Sequence, residues 1–169
     1  LFRPSGDGPF PLAVIAHAST QNVLRRAQMP QPEYRALAAW LVARGFAVLV
    51  PERPGHGATG GKYLEDQSGC DEADYARSGR ATADEISAAV GFVRKQSFIR
   101  PEGMVVVGHS AGAWGALALA GEDPKDVAAI IAFALFSLLL GLRMVDKVTG
   151  LTLQPRPVLL AVAVGIVFC

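Results

Sequence analysis

The chain is 169 residues long, 51% hydrophobic and 18% charged, with 18 Gly and 11 Pro. That is too apolar for intrinsic disorder, lacks the period-three glycine of collagen, and suits one globular domain with a real core. Sixteen Lys and Arg against 15 Asp and Glu leave a net charge of +1, so no basic field advertises nucleic acid. Two cysteines, Cys70 and Cys169, are too few for a disulfide framework or a Cys-rich zinc site. Charge is unevenly spread: residues 127–169 carry only Arg143, Asp146, Lys147 and Arg156. The chain starts at Leu1 with no basic n-region ahead of an apolar stretch, and reads as a piece of a longer frame.

Leu12 to Ala16 (LAVIA) is apolar throughout, as a strand buried on both faces should be. His17 to Gln31 is polar and reads as a loop, and Pro32 suits the first turn of a helix. Tyr34, Leu37, Ala38 and Leu41 fall on one helical face, and Gly45 is available for a left-handed cap. Phe46 to Val50 is the next buried strand, stopped by Pro51. Pro51 to Lys62 (PERPGHGATGGK) is a Gly- and Pro-rich loop. Tyr63 to Gly79 is polar and ambiguous. Thr82 with Glu85 forms a capping-box pattern, followed by Ile86, Val90 and Val93 as the inward face of a helix. Met104 to Val107 reads as a third strand, Ala111 to Ala120 as a helix and Val127 to Ala134 as a fourth strand. This alternation predicts an α/β fold with a doubly wound, mostly parallel sheet.

After Ala134 the rhythm stops. Val127 to Leu142 holds no charge over 16 residues, and Val158 to Cys169 is a further apolar run. A helix needs roughly 20 residues to span a bilayer, so a membrane helix over residues 127–145 is disfavoured but stays open. A cytoplasmic location is the expectation, with membrane association as the alternative.

The most informative residues are Gly108-His109-Ser110-Ala111-Gly112, a G-x-S-x-G pattern with a strand before it and a helix after it. A strand that reverses sharply into a helix holds the middle residue strained and exposed at the tip. Bulk two positions to either side would clash, hence the glycines. The helix start offers free N–H groups to an oxyanion. Ser110 is therefore the expected nucleophile and the Ala111 N–H an oxyanion donor.

The segments PLAVIAHAS, LAAWLVARGFAVLVPERPGHGATGG and VVVGHSAGAWGALALA resemble the α/β-hydrolase superfamily, most closely its dienelactone-hydrolase-like and prolyl-oligopeptidase-like serine esterases. The resemblance covers about residues 1–134. It implies a partial α/β-hydrolase domain there and leaves 135–169 as an atypical apolar tail. It places the second oxyanion donor at the Ser19 N–H, within His17-Ala18-Ser19. It also implies a small-molecule acyl substrate, with no metal and no organic cofactor.

Such hydrolases order their triad as Ser, then an acid, then His. The three histidines here, His17, His56 and His109, leave none after Ser110. The later acids Glu122, Asp123, Asp126 and Asp146 sit in no recognisable post-strand loop. His17 and His56 are substitute bases to consider, although a bracing hydrogen-bond role suits a loop histidine better. His109 reads as packing, and Trp40 and Trp114 as packing anchors. Gly55 to Gly60 also matches G-x-G-x-x-G, but no helix opens at its third glycine, so it reads as a tight loop. Asp71 to Asp74 reads as a solvated acidic turn. Two rivals to a serine hydrolase remain: a truncated or frame-disrupted, non-catalytic chain, and a binding module that keeps the fold without turnover. Sheet edges left open would favour self-association.

Overall fold

A computed structural model of the chain describes residues 1–69, 71–122, 124, 126–133 and 159–163. Its sheet contains β1 (Leu12–Ala16), β2 (Ala47–Leu49), β3 (Met104–His109), β4 (Val127–Phe133) and β5 (Leu159–Ala163). The order is β2-β1-β3-β4-β5, and each neighbouring pair is parallel. The α-helices are α1 (Val23–Ala27), α2 (Arg35–Val42), α3 (Tyr75–Val93) and α4 (Ala111–Gly121). The chain steps one way from β1 to β2, then returns past β1 to reach β3. The strand order therefore reverses at β1/β3, and a crevice opens beyond the carboxyl ends of these two strands.

Alternation along the strands explains the layers. Leu12, Val14, Ala16 and Val106 face Ala83, Ile86 and Val90 of α3 and Ala116 and Leu119 of α4. Ala13, Ile15, Val48 and Val107 face Ala38 and Leu41 of α2 on the other side. Both faces of β1 are buried, which is why LAVIA carries no polar position. Phe2 adds an antiparallel bridge along the outer edge of β2, its N–H donating to the Val48 carbonyl at 2.9 Å.

Several expected boundaries move. The stretch read as a loop from His17 to Gln31 contains α1, whose first turn is capped by the Asn22 side chain accepting from the Arg25 N–H at 3.0 Å. Five residues are too few to show a helical hydrophobic period, so only the Asn cap signalled it. Pro32 precedes α2 rather than entering its first turn, because Tyr34 is left-handed (φ 47, ψ 41) and the helix begins at Arg35. Thr82 and Glu85 are not a capping box. The helix has already begun at Tyr75, where the Asp74 carboxylate accepts from the Arg77 N–H at 2.8 Å. Thr82 sits in mid-helix and donates to the Ser78 carbonyl at 3.0 Å, a local bond its hydroxyl makes inside a helix as readily as at a cap.

Residues 127–133 are a strand between β3 and β5 and not the start of a membrane helix, and the rest of the 127–145 stretch lies outside the described residues. Among the described residues no helix is long and apolar enough to cross a membrane. Of the apolar segment 135–169, only the β5 stretch lies within the described residues. The tryptophans differ from simple core anchors, since Trp40 and Trp114 are both about half exposed. Trp114 still joins α4 to α3, donating from Nε1 to the Tyr75 carbonyl at 2.6 Å. Trp40 carries the Arg44 guanidinium 3.5 Å above its ring.

The tightest constraint in the fold is the crossing of α4 over β1. A Cβ on Gly112 would run into the Ala16 carbonyl and lie 2.7 Å from the His17 oxygen, and one on Gly108 would lie 2.5 Å from the Ala113 Cα. Gly91, by contrast, is a helical glycine with open space around it. Gly112→Ala is therefore expected to lower unfolding free energy by about 1–3 kcal/mol through forced separation of α4 from β1. Gly91→Ala should raise it by about 0.5–1 kcal/mol through reduced backbone entropy. Urea midpoints of the two variants against the parent chain check both signs.

Candidate active site

The turn after β3 sits at the β1/β3 crevice. The Ser110 N–H still donates across the sheet to the Phe133 carbonyl at 2.7 Å. The backbone of Ser110 then swings to φ 55, ψ −117, and α4 starts at the next residue. A non-glycine residue in that region is strained and persists because the surroundings over-determine it. The Ala113 and Trp114 N–H groups both return to the Ser110 carbonyl, at 2.9 and 3.2 Å. The Ala111 and Gly112 N–H groups come earlier in the first turn, where a helix offers no acceptor of its own. The Ser110 side chain makes no capping bond and is half-buried.

Facing this turn is the loop that leaves β1, held by the segment after β2 and by Tyr34. His17 is buried; its Nε2 accepts from the Arg53 N–H at 3.1 Å and its Nδ1–H donates to the Ala18 carbonyl at 2.6 Å. The Ala18 N–H donates to the Tyr34 hydroxyl at 3.1 Å. The Ser19 hydroxyl donates to His56 Nε2 at 2.6 Å, while His56 Nδ1–H points to the Arg53 and Pro54 carbonyls, 3.1 Å from each. The third histidine, His109, has its Nδ1 2.9 Å from the Tyr34 hydroxyl. Every histidine of the chain is thus hydrogen-bonded to something other than Ser110. Burial, assisted by the Arg53 charge, lowers His17 to about 4, and burial also lowers His56. Both rings are neutral braces at pH 7, and the bracing role considered for His17 is the one its geometry supports. Its lone pair is engaged by the Arg53 amide, so it is not available to take a proton from Ser110.

The brace rests on Arg53, whose side chain is 1% exposed. Nη1 donates to the His17 carbonyl at 2.8 Å, while Nε and Nη2 donate to the two oxygens of Glu65 at 2.5 and 3.1 Å. A second carboxyl, Glu85 from α3, lies 3.7 Å from Nε. Burial pushes the Glu65 carboxyl upward, but the Arg53 hydrogen bond and charge outweigh it and hold the group below its usual range. Glu85 receives no hydrogen bond at either oxygen among the described residues. Burial, then the neighbouring Glu65 carboxylate, pushes it up to about 8. Of the two carboxyls beside this guanidinium, Glu65 is the one favoured as the anion and Glu85 the one pushed toward its neutral form.

A cleft of about 470 Å³ opens beside these loops, lined by His17, Ala18, Met29, Pro30, Gln31, Pro32, Glu33, Tyr34 and His109. The structure places Ser110 and Ala111 directly after β3, and His17 and Ser19 in the loop after β1, at adjacent strand ends. Gly55 to Gly60 closes as a tight loop, the Gly55 N–H donating to the Gly60 carbonyl at 2.6 Å. Sequence reading missed Tyr34, Arg53, Glu65 and Glu85. The one local signal was Arg53 between prolines, directly after a buried strand.

Residues 32–148 match the prolyl oligopeptidase family. Nothing among the curated proteins matches the chain. Among solved structures, the α/β hydrolase GrgF from Penicillium sp. sh18 superposes with a TM-score of 0.54 and 23% identity, over 77% of this chain and 38% of that one. Est1E from Butyrivibrio proteoclasticus, in a structure with ferulic acid bound, gives a TM-score of 0.52 and 22% identity, over 92% of this chain and 55% of its own. The likeness shows an α/β-hydrolase fold, and the chain spans less than two thirds of either structure's length.

The upward shift at Glu85 has a measurable consequence. Its carboxyl rises from 4.5 to about 8 on folding, so the folded chain holds a proton that the unfolded chain releases, and stability falls as pH rises through that window. His17 works the other way between about 4 and 6.5, where the unfolded chain binds the extra proton. Above pH 6.5 the Glu85 effect stands alone of the two. The urea midpoint is expected to fall between pH 6.5 and 8, and Glu85→Gln should remove that slope and be the more stable protein at pH 8. A slope unchanged in Glu85→Gln would show that the proton is elsewhere.

Proposed function

The chain belongs to the prolyl oligopeptidase family, and from that membership we propose that Ser110 is the nucleophile of a serine-hydrolase site. The bond attacked is a carboxylic ester, lactone or related acyl bond of a small molecule. One observation carries the reading: the Ser110 backbone is held at φ 55, ψ −117 on a strand-to-helix turn at the sheet's reversal point, with its side chain left out of the helix cap. A hydroxyl presented in that way attacks a carbonyl carbon, and the carbonyl oxygen becomes an oxyanion. The Ala111 N–H at the start of α4 is one donor to it, and the Ser19 N–H from the loop after β1 is the other. Collapse of the tetrahedral intermediate expels the alcohol and leaves an acyl group on Ser110, which water then removes. The apolar part of the cleft lining, Met29, Pro30, Pro32 and Tyr34, offers contact for an acyl chain, and Gln31 and Glu33 line the same cleft.

The step with no assigned side chain is deprotonation of Ser110. A serine hydroxyl is a weak nucleophile without a base; His17 and His56 have both ring nitrogens engaged elsewhere, and His109 has its Nδ1 engaged by Tyr34. A small diffusible base can substitute. A fluorophosphonate probe should label the chain at Ser110, faster as imidazole is added, and Ser110→Ala should abolish labelling. Folded protein that stays unlabelled at every imidazole concentration would overturn the hydrolase reading and leave a fold that binds without turnover.

A further inference from the structure

We propose that Tyr34 is a positioning residue: its hydroxyl ties the loop after β1 to the turn after β3, and so leaves the Ser19 N–H as the loop amide free to face the oxyanion. The proposal rests on the serine-hydrolase reading of Ser110. Tyr34 occupies the residue before the first turn of α2, a position where short polar side chains with extended backbone are favoured because they cap the helix. Tyr34 does neither. It is left-handed at φ 47, ψ 41, and its side chain makes no capping bond. A bulky residue held in that region marks a position where the side chain's destination outweighs backbone preference.

That destination is the gap between the two loops of the site. The phenol oxygen accepts from the Ala18 N–H at 3.1 Å and lies 2.9 Å from His109 Nδ1. The ring stands edge-on to the His109 imidazole, with centroids 5.9 Å apart and planes at 83°. With one N–H already pointing at its oxygen, the phenol has its own proton left to give, and His109 Nδ1 is the acceptor in range. His109 directly precedes Ser110, and Ala18 directly precedes Ser19, so one hydroxyl spans the two backbones that the reaction uses. Because the Ala18 amide is taken up by Tyr34, it cannot turn toward substrate. Ser19 is held from its other side by His56, which leaves its backbone N–H oriented by both neighbours.

Tyr34→Phe keeps the ring and deletes the hydroxyl. In the parent chain, nitrogen-15 spectra should show His109 unprotonated at Nδ1, with slow exchange of the Ala18 amide. In Tyr34→Phe the ring should populate both tautomers and the Ala18 amide should exchange faster. With imidazole present, the limiting rate of fluorophosphonate labelling should fall about tenfold, the size of one lost hydrogen bond, while the half-saturating probe concentration stays unchanged. Labelling that proceeds at the parent rate in Tyr34→Phe, or spectra that do not change, would overturn the proposal. If the parent chain is not labelled at all, the hydrolase reading falls by itself. The His109 and Ala18 signatures then decide whether Tyr34 forms the tie, and their persistence in Tyr34→Phe would show that it does not.

Discussion

A guanidinium buried to 1% exposure is the interaction on which the loop architecture depends. Removing such a charge from water costs several kcal/mol unless its donors are matched, and breaking a matched pair by deleting one partner costs about 3–5 kcal/mol. Arg53 is matched by the Glu65 carboxylate and the His17 carbonyl, and its own backbone holds two histidine rings, His17 by the N–H and His56 by the carbonyl. It therefore joins the ends of β1 and β2 to the segment around residue 65. The Ser78 hydroxyl of α3 adds to this by donating to the Glu65 carbonyl at 2.8 Å. The loop after β1 cannot relax without uncovering this charge, and a rigid loop is what an oxyanion donor requires, since its value lies in not having to reorganise.

Steric closeness at the neighbouring strand completes the constraint. Gly112 lets α4 press against the carbonyls of Ala16 and His17, so the turn that carries Ser110 and the loop braced by Arg53 are held in contact from both directions. Gly115 extends the same closeness to α3, where a Cβ would collide with the Thr82 side chain. Strain at Ser110 is thus supported by two independent devices, a polar hub under one loop and backbone-to-backbone packing under the other. Neither suffices alone: the hub orients the loop without placing the helix, and the glycines place the helix without orienting the loop.

What the sequence showed and what it hid divide along a physical line. LAVIA, FAVLV and MVVV declare buried parallel strands because burial on both faces removes polar residues from each position. The elbow declares itself because its steric demands fall on neighbours within two residues. Contacts set by the fold leave no such local trace. Glu85 is three residues after Thr82 and so mimics a cap, yet in the fold it turns inward to Arg53, 32 positions earlier. Tyr34 matches the helical face of α2 by spacing, and only the sheet order reveals that its hydroxyl meets Ala18 and His109. Glu65 lies in a polar stretch without periodicity, where a buried carboxylate looks like any solvated one.

The histidines settle how the site divides its labour. A general base needs a lone pair aimed at the nucleophile and an affinity for protons near the working pH. His17 has neither, since burial and Arg53 hold it at about 4 and the Arg53 amide occupies its Nε2. His56 is likewise depressed, and its Nε2 is taken by Ser19. What these rings do well is accept and donate at fixed directions without changing charge, beside two buried guanidinium groups: Arg53, and Arg26, which donates to the Thr20, Gln21 and Gly55 carbonyls. A neutral imidazole next to a buried guanidinium avoids the repulsion that a protonated one would bring. In the proposed reaction these two neutral rings brace the loop that carries the Ser19 N–H, and neither His17 nor His56 is the group that takes the proton from Ser110.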